Sequence, residues 1–547
     1  MANAGCQHPA AAAALRRRAQ LGQPLPSVLP LGGFSLDAAA AAVCAAASSR
    51  TAFVSLPGGG GGGGSPRGWP SSAAATALVA AAAAELSPAF SAIDAVTTAT
   101  LRRVLAAFAA ARIDASHFAS VDGYGHGDLG RDAIDAVVAD LFGAPAAAVR
   151  VQFLSGTHAI AAALFGVARP GDEVLAAAGP VYDTLEEVLG IRRGSRAGVG
   201  AEEEEEGEGG VAGMGSLADW GVSFRQVPLT TDATGGRVVD PPAVAAAVGP
   251  ATKIVFIQRS CGYDWRRSLT IAEIRDVICR VRAVKPGVVV IVDNCYGEFT
   301  EAVEPTHPSV GADLAAGSLT KNPGGTLAPT GGYVTGSAHL VARALARLAA
   351  PGVGGGATLG VNRVLLQGLF MAPAMVGEAA KGAALVAAVF RRLGYATSPG
   401  MLAVAAPSSA GVAKTVAGNG GVHGNGNGNG DSDGGGDLPP LELIHAIRLG
   451  DRSRLLAFCG AVQRSSPVGA HITVEAGGTP GYGDEVVFAS GTFVDGGTLE
   501  LSADGPVRPP YVVYVQGGVS WCHWAIAAAE AAEAVGYADG HGPPSEG

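Results

Sequence analysis

Two residues of opposite charge stand out by their surroundings. Asp293 follows the apolar, β-branched run Val288-Val289-Val290-Ile291-Val292, and Lys321 lies 28 residues further on. The lysine sits inside Gly317-Ser318-Leu319-Thr320-Lys321-Asn322-Pro323-Gly324-Gly325. An acid at the carboxyl end of a buried strand is costly unless a partner offsets its desolvation. A protonated pyridine nitrogen would do so: Asp293 would keep that proton on pyridoxal phosphate (PLP) and hold the ring as an electron sink. Lys321, in a loop of small residues that a cofactor can approach, would supply the amine for a Schiff base with the PLP aldehyde. Ser318 and Thr320 flank it with hydroxyls suited to phosphate oxygens. Alone, Lys321 reads as a surface lysine and Asp293 as a strand-end cap. Together, with both hydroxyls, they are hard to explain structurally.

A second segment fits the same cofactor. Phe153-Leu154-Ser155-Gly156-Thr157-His158-Ala159 joins an expected strand to a helix beginning near His158. The N–H groups of a helix N-terminus make an anion site, so the PLP phosphate could sit on Gly156 and Thr157. By itself Ser-Gly-Thr is more often an ordinary N-cap. Tyr182, in Val181-Tyr182-Asp183-Thr184-Leu185, follows the next expected strand and could stack on the ring or be a half-buried core aromatic. His117, His126 and His158 are candidates for acid–base work. A lysine released from the cofactor already supplies that function, so His158 reads as a helix-start residue and the other two stay unassigned.

The elements that must position these residues form an α/β pattern. Short apolar runs at 288–292, 253–257 and 149–153 read as strands. Helical periodicity fills the spaces, at Ile134, Val137, Val138 and Leu141, and at Ile274, Val277, Ile278 and Val281. Alternating strands and helices imply a mainly parallel sheet with ligands at the strands' carboxyl ends.

These residues carry a family resemblance. The chain resembles the aluminium-resistance or methionine γ-lyase-related proteins, PLP-dependent members of the cystathionine-type group of cysteine and methionine metabolism. The resemblance spans roughly residues 86–538. Its carriers are Ser116 to Ala119, Gly123-Tyr124-Gly125, Gly130-Arg131-Asp132, Phe153 to Ala159, Ile257-Gln258-Arg259-Ser260, Val292 to Phe299, Gly317 to Gly332, Ala357 to Arg363 and Leu501 to Pro506. It implies the fold-type-I PLP-dependent transferase fold, with a smaller C-terminal α/β domain. Active sites at subunit interfaces of a homodimer or homotetramer are implied too. In that group a Ser-x-Thr-Lys motif carries the Schiff-base lysine, and Ser318, Thr320 and Lys321 match it. Asp293 matches the pyridine partner, Gly156 and Thr157 the phosphate amides, and Tyr182 the stacking aromatic. Tyr124 lies near where a neighbouring subunit's phosphate-binding tyrosine is expected, but the local Tyr-x-Arg pattern is missing. Arg508, before Pro509-Pro510-Tyr511, resembles the group's late arginine and would bind the substrate carboxylate; it could equally be a salt-bridged loop residue. Arg259, leaving a buried strand, is its rival.

Bulk composition is compatible. The 547 residues have 15% charged residues and a net charge of −10, or −4 without the six acids of the run at 202–208, so no nucleic-acid-binding surface is expected. No continuous apolar stretch reaches the ~18–20 residues of a membrane span. Seven cysteines form no Cys-x-x-Cys pair, which argues against zinc and disulfides and for a reducing compartment. Residues 1–36 contain no Asp or Glu but hold Arg16, Arg17 and Arg18, fitting a transit peptide to chloroplast or mitochondrion, or a disordered leader of a cytoplasmic protein. The expected division is a leader and poorly ordered extension at 1–85, a helical segment at 86–119, a large PLP domain at 120–371 and a small domain at 372–538. Insertions interrupt these at 194–213 (acidic) and 410–437 (Gly/Asn-rich). The expected activity is carbon–sulfur elimination from an amino acid of the cysteine, methionine or cystathionine type. The alternatives are a PLP-dependent transferase or aldolase, or a non-catalytic PLP-binding stress-tolerance protein.

Overall fold

The computed structural model describes residues 71–191, 215–232, 236–400, 440–497 and 499–536. The chain divides into two units, Met1–Leu56 and Pro57–Gly547, and every described residue lies in the second. The expected leader at 1–36 and both insertions fall outside the described residues.

The strands, in chain order, are β1 (Ala146–Arg150), β2 (Glu173–Ala176), β3 (Ser223–Gln226), β4 (Thr230–Thr231), β5 (Arg237–Val238), β6 (Thr252–Gln258), β7 (Val289–Asp293), β8 (Leu314–Ser318), β9 (Gly332–Gly336), β10 (Thr397–Ser398), β11 (His445–Arg448), β12 (Val486–Ser490), β13 (Ser502–Pro506) and β14 (Val512–Gln516). Seven make the central sheet, in the order β1-β9-β8-β7-β6-β2-β3. The pairs from β8 through β7, β6 and β2 to β3 are parallel, whereas β9 is antiparallel to both β8 and β1. So β9 alone is reversed, and β1 runs with the rest. A second sheet, β10-β11-β14-β13-β12, is antiparallel throughout, and β4 with β5 makes a small ribbon.

The central strands are apolar and β-branched because both faces are covered. Ile254, Phe256, Ile291, Leu314 and Val334 pack against Ile160, Ala163 and Leu164 of the helix Gly156–Val167 on one face. On the other, Val255, Ile257, Val290 and Val292 pack on Ile274, Val277, Ile278 and Val281 of the helix Ile271–Val284. That helix starts at a capping box in which Thr270 and Glu273 satisfy each other's backbone N–H. The strand expected at 149–153 lies three residues earlier, at Ala146–Arg150, with 151–153 forming the turn toward the helix Gly156–Val167. Its alanines, Ala146 to Ala148, hide a strand from any reading of β propensity.

The helix Asn362–Arg392 joins the two sheets through one continuous apolar spine, and the boundary expected at 371/372 falls inside it. Part of it packs with Ile93, Val96 and Val104 of the helix Ser87–Ala110, and part with the core under the second sheet. By length and composition it could cross a membrane, as could the bent pair of helices Ala73–Glu85 and Ser87–Ala110 taken together; most of Asn362–Arg392 is buried inside the protein. Residues 73–85, expected within a poorly ordered extension, form a helix instead. Ala75, Val79, Ala82 and Ala83 are buried against Leu385, Val389 and Trp524. Alanine-rich sequence resembles low complexity, but alanine is the strongest helix former.

One contact of the Asn362–Arg392 helix bears on the site. A Cβ at Gly368 would lie 2.2 Å from the Gly324 carbonyl oxygen, just past Lys321. Gly325, at φ +52°, approaches the same helix turn. Replacing glycine by alanine in a helix interior ordinarily gains up to about 1 kcal/mol. Here the new methyl meets backbone, and overpacking of this kind costs about 1–3 kcal/mol or more. Gly368→Ala is therefore expected to destabilise by about 2 kcal/mol, read as a lower urea midpoint. An unchanged or raised midpoint would contradict this packing.

Candidate active site

Neighbouring parallel strands bring the two charged residues of the sequence together. Asp293 ends β7 and pairs with Ala316 of β8, so its carboxyl and the Ser318–Lys321 turn emerge side by side from the sheet. They open into a cavity of about 550 Å³ lined by both sheets. One Asp293 oxygen accepts the Cys295 N–H at 3.0 Å. Lys321 Nζ lies 4.0 Å from the centre of the Tyr296 ring, a cation–π contact. Tyr296 is held at φ +67°, a left-handed conformation that few bulky residues adopt. Ser318 Oγ and Thr320 Oγ1 hydrogen-bond at 2.8 Å, and Ser318 also accepts the Thr320 N–H at 3.2 Å.

The helix Gly156–Val167 points its N-terminus into the cavity, and its first N–H groups have no carbonyl partner within the helix. Ser155 caps it by accepting the His158 N–H at 3.2 Å. His158 is the helix-start residue expected of it, with Nδ1 accepting the Leu154 N–H at 3.1 Å and burial holding its pKa low. A Cβ at Gly156 would meet Ser318 Cβ at 3.1 Å and Cys295 Sγ at 3.2 Å, so glycine keeps this approach open. Thr157 shares a 2.7 Å hydrogen bond with Thr184. Opposite stands an aromatic wall. The Tyr182 hydroxyl meets that of Tyr482 at 2.7 Å, and Gln258 accepts the Tyr182 N–H at 2.6 Å.

Three expected site residues do not join this cluster. Arg259 is 2% exposed, but its guanidinium turns into the scaffold. It donates to Leu269 O, Asn294 Oδ1, Gly297 O, Thr300 Oγ1 and Glu301 Oε1, leaving no donor for a substrate. Arg508 lies outside the cavity lining, half-exposed and ion-paired with Asp484, which is the salt-bridged loop role. Tyr124 is 70% exposed and stacks on His126 rather than lining the cavity. Among the described lining residues there is no arginine.

The family model described as methionine γ-lyase matches residues 75–406 and 437–536. The chain belongs to the methionine γ-lyase family. YnbB of Bacillus subtilis (strain 168) is 40% identical over 442 residues, covering 80% of this chain and 91% of that protein. A solved structure from Listeria monocytogenes, provisionally named a cystathionine β-lyase involved in aluminium resistance, is 38% identical at a TM-score of 0.70. It covers 84% of this chain and 99% of its own. A Clostridium novyi NT structure named a carbon–sulfur lyase involved in aluminium resistance is 34% identical at a TM-score of 0.69, covering 84% and 96%.

The cofactor of the methionine γ-lyase family is PLP, and the residues fit it. The helix N-terminus at Gly156 and Thr157, with Ser318 and Thr320, would hold the phosphate, Asp293 the ring nitrogen and Lys321 the aldehyde carbon. Burial pushes the Asp293 carboxyl up, against the pull of the Lys321 charge and the Cys295 N–H. Burial works to lower the Lys321 pKa, but Cys295, Tyr296, Asp293 and Glu298 outweigh it and push it up. Burial also raises the Tyr182 and Tyr263 phenols, so both stay neutral.

Several members of the site were not singled out from sequence: Tyr296, Glu298, Tyr263, Tyr482 and Asp504. Tyr296 and Glu298 lay within the run at 292–299, and Asp504 within 501–506. Tyr263 and Tyr482 had no local signal.

Glu298 lies outside the cavity lining, against Gly317. It is fully buried, accepts the Tyr333 hydroxyl at 2.7 Å on Oε1, and has no hydrogen-bond partner on Oε2. Burial pushes its carboxyl up to about 8, from 4.5. The folded chain therefore keeps a proton that the unfolded chain releases, so folding takes one up between those values. That contribution is complete below pH 4.5 and is lost as pH rises through about 8. Glu298→Gln, which mimics the protonated acid, should flatten stability against pH by up to about 1.4 kcal/mol per unit in that window. Urea unfolding at several pH values checks this; parallel curves for wild type and variant would contradict it.

Proposed function

We propose that this member of the methionine γ-lyase family is a PLP-dependent carbon–sulfur lyase. It acts on a sulfur-containing amino acid by removing the α-proton and expelling a thiol from Cβ or Cγ. The convergence of Lys321, Asp293 and the Gly156–Thr157 helix N-terminus on one cavity carries this reading. The lyase names of the Listeria and Clostridium relatives support the class of reaction.

Bound PLP supplies an electron sink for the charge that develops at the substrate's Cα. The chain's own residues do the rest. Asp293 holds the proton at the ring nitrogen, and a buried acid with little competing solvation is suited to that. Lys321 takes the α-proton, and Asp293 is among the groups that favour the ammonium it becomes. Tyr182, Tyr263 and Tyr482 wall off water and orient the substrate's side chain. Loss of the thiol and hydrolysis give a 2-oxo acid and ammonia.

The same reading includes a homodimer or homotetramer. Phe118, Tyr124, Leu129, Leu154 and Leu359 are exposed. The segments that carry them are tied together by bonds from Thr358 to Asp128, Asn362 to Ala119 and Gln152 to Ala357. Leu154 also edges the cavity. A neighbouring subunit on this face would bring Tyr124 into contact with it.

The test is a screen of the PLP-loaded protein with cysteine, methionine and cystathionine, following 2-oxo acid, ammonia and free thiol together. All three products should appear from at least one substrate. Lys321→Ala should lower the rate by about 10³-fold or more. Cofactor absorbance that responds to no amino acid would contradict the lyase and favour a binding protein.

A further inference from the structure

The cavity carries more acid than its cofactor chemistry uses. Its lining holds three carboxylates, Asp293, Asp495 and Asp504, against one ammonium, that of Lys321. Asp293 serves the ring nitrogen, and Lys321 is committed to the aldehyde and to the α-proton. Among the described lining residues Asp504 has no ion-pair partner. It lies on β13 and is 5% exposed, yet it faces the cavity. Tyr263 donates its hydroxyl to Oδ2, and Gln516 Nε2 donates to Oδ1 at 2.8 Å, with Ser502 Oγ at 3.4 Å. These neutral donors fix the carboxylate's orientation without cancelling its charge.

The Tyr263 ring that bonds it belongs to a cluster of tyrosines. Tyr182, Tyr263 and Tyr482 lie 5.8–6.1 Å apart centre to centre, and Tyr514 is 5.1 Å from Tyr263. A carboxylate beside tyrosine rings in one cavity is the chemistry that receives an ammonium. The α-amine of a substrate is committed to the cofactor, so the cation must come from the substrate's far end.

We propose that Asp504 and these tyrosines form a subsite for a second, distal ammonium. The enzyme would then select amino acids that carry one, as a thioether joining two amino-acid halves does, over mono-amino substrates such as methionine. This rests on the cavity being the amino-acid site, and it names the substrate's chemical class. Burial pushes the Asp504 carboxyl up to about 6, against Tyr263, Gln516, Ser502 and the Lys321 charge. The group is thus largely ionised above neutral pH.

The test uses the holoenzyme and ligands with no sulfur to eliminate. L-Ornithine is compared with L-norleucine, and L-lysine with L-2-aminoheptanoate, each pair matching chain length with and without the ammonium. Dissociation constants are read from the change in cofactor absorbance. The wild type should favour the diamino member of at least one pair by about tenfold, and Asp504→Asn should erase the difference. Equal binding within both pairs overturns the proposal, as does a preference that survives in Asp504→Asn. The wild-type comparison decides even if the variant fails to fold. A preference without any elimination from sulfur amino acids would leave the subsite standing and sink the lyase reading.

Discussion

A buried ammonium placed beside buried acids governs the arrangement of this molecule. Lys321 and Asp293 occupy positions where each charge alone would be expensive. Their surroundings shift both: the groups around Lys321 push its pKa up against burial, and burial pushes the Asp293 carboxyl up. The proposed PLP would lie between them, with its ring nitrogen toward Asp293 and its aldehyde toward Lys321. The parallel pairing of β7 with β8 makes this juxtaposition, since it sets the two carboxyl ends in register.

The rest of the scaffold works to keep those ends in place. Strand β9 backs β8, with its Gly332 opposite Ser318 and close enough to Ala159 that no larger residue would fit. The glycines that follow Lys321 let the loop settle against Gly368 of the long helix. That helix also reaches the second sheet, whose strands β13 and β14 provide Asp504, Tyr514 and Gln516. Arg259 stabilises this frame without touching the chemistry, tying the loop after β7 to the loop before the helix Ile271–Val284.

The sequence made the floor of the site legible but not its far wall. Asp293 and Lys321 were readable because a fully apolar strand and a small-residue loop bracket them. Ser155 to Thr157 were readable because a strand-to-helix turn has a local composition. Arg259 misled because a guanidinium leaving a buried strand can turn toward either side, and here carbonyls and Glu301 draw it inward. Arg508 was equally ambiguous, since its partner Asp484 lies on another strand connection. Asp504 escaped notice as a site residue because its partner Tyr263 is 241 positions away. Local pattern carries no information about such pairings. The helix Ala73–Glu85 was hidden for a different reason: its buried face is made of alanine, which gives composition but almost no amphipathic contrast.

Lys321 is the residue proposed to carry the cofactor. Borohydride reduction of the PLP-loaded protein, followed by proteolysis and mass spectrometry, tests that directly. A reduced pyridoxyl group is expected on the peptide containing Lys321 and on no other lysine. A label on a different lysine, or no covalent label in a protein that binds PLP, would contradict it.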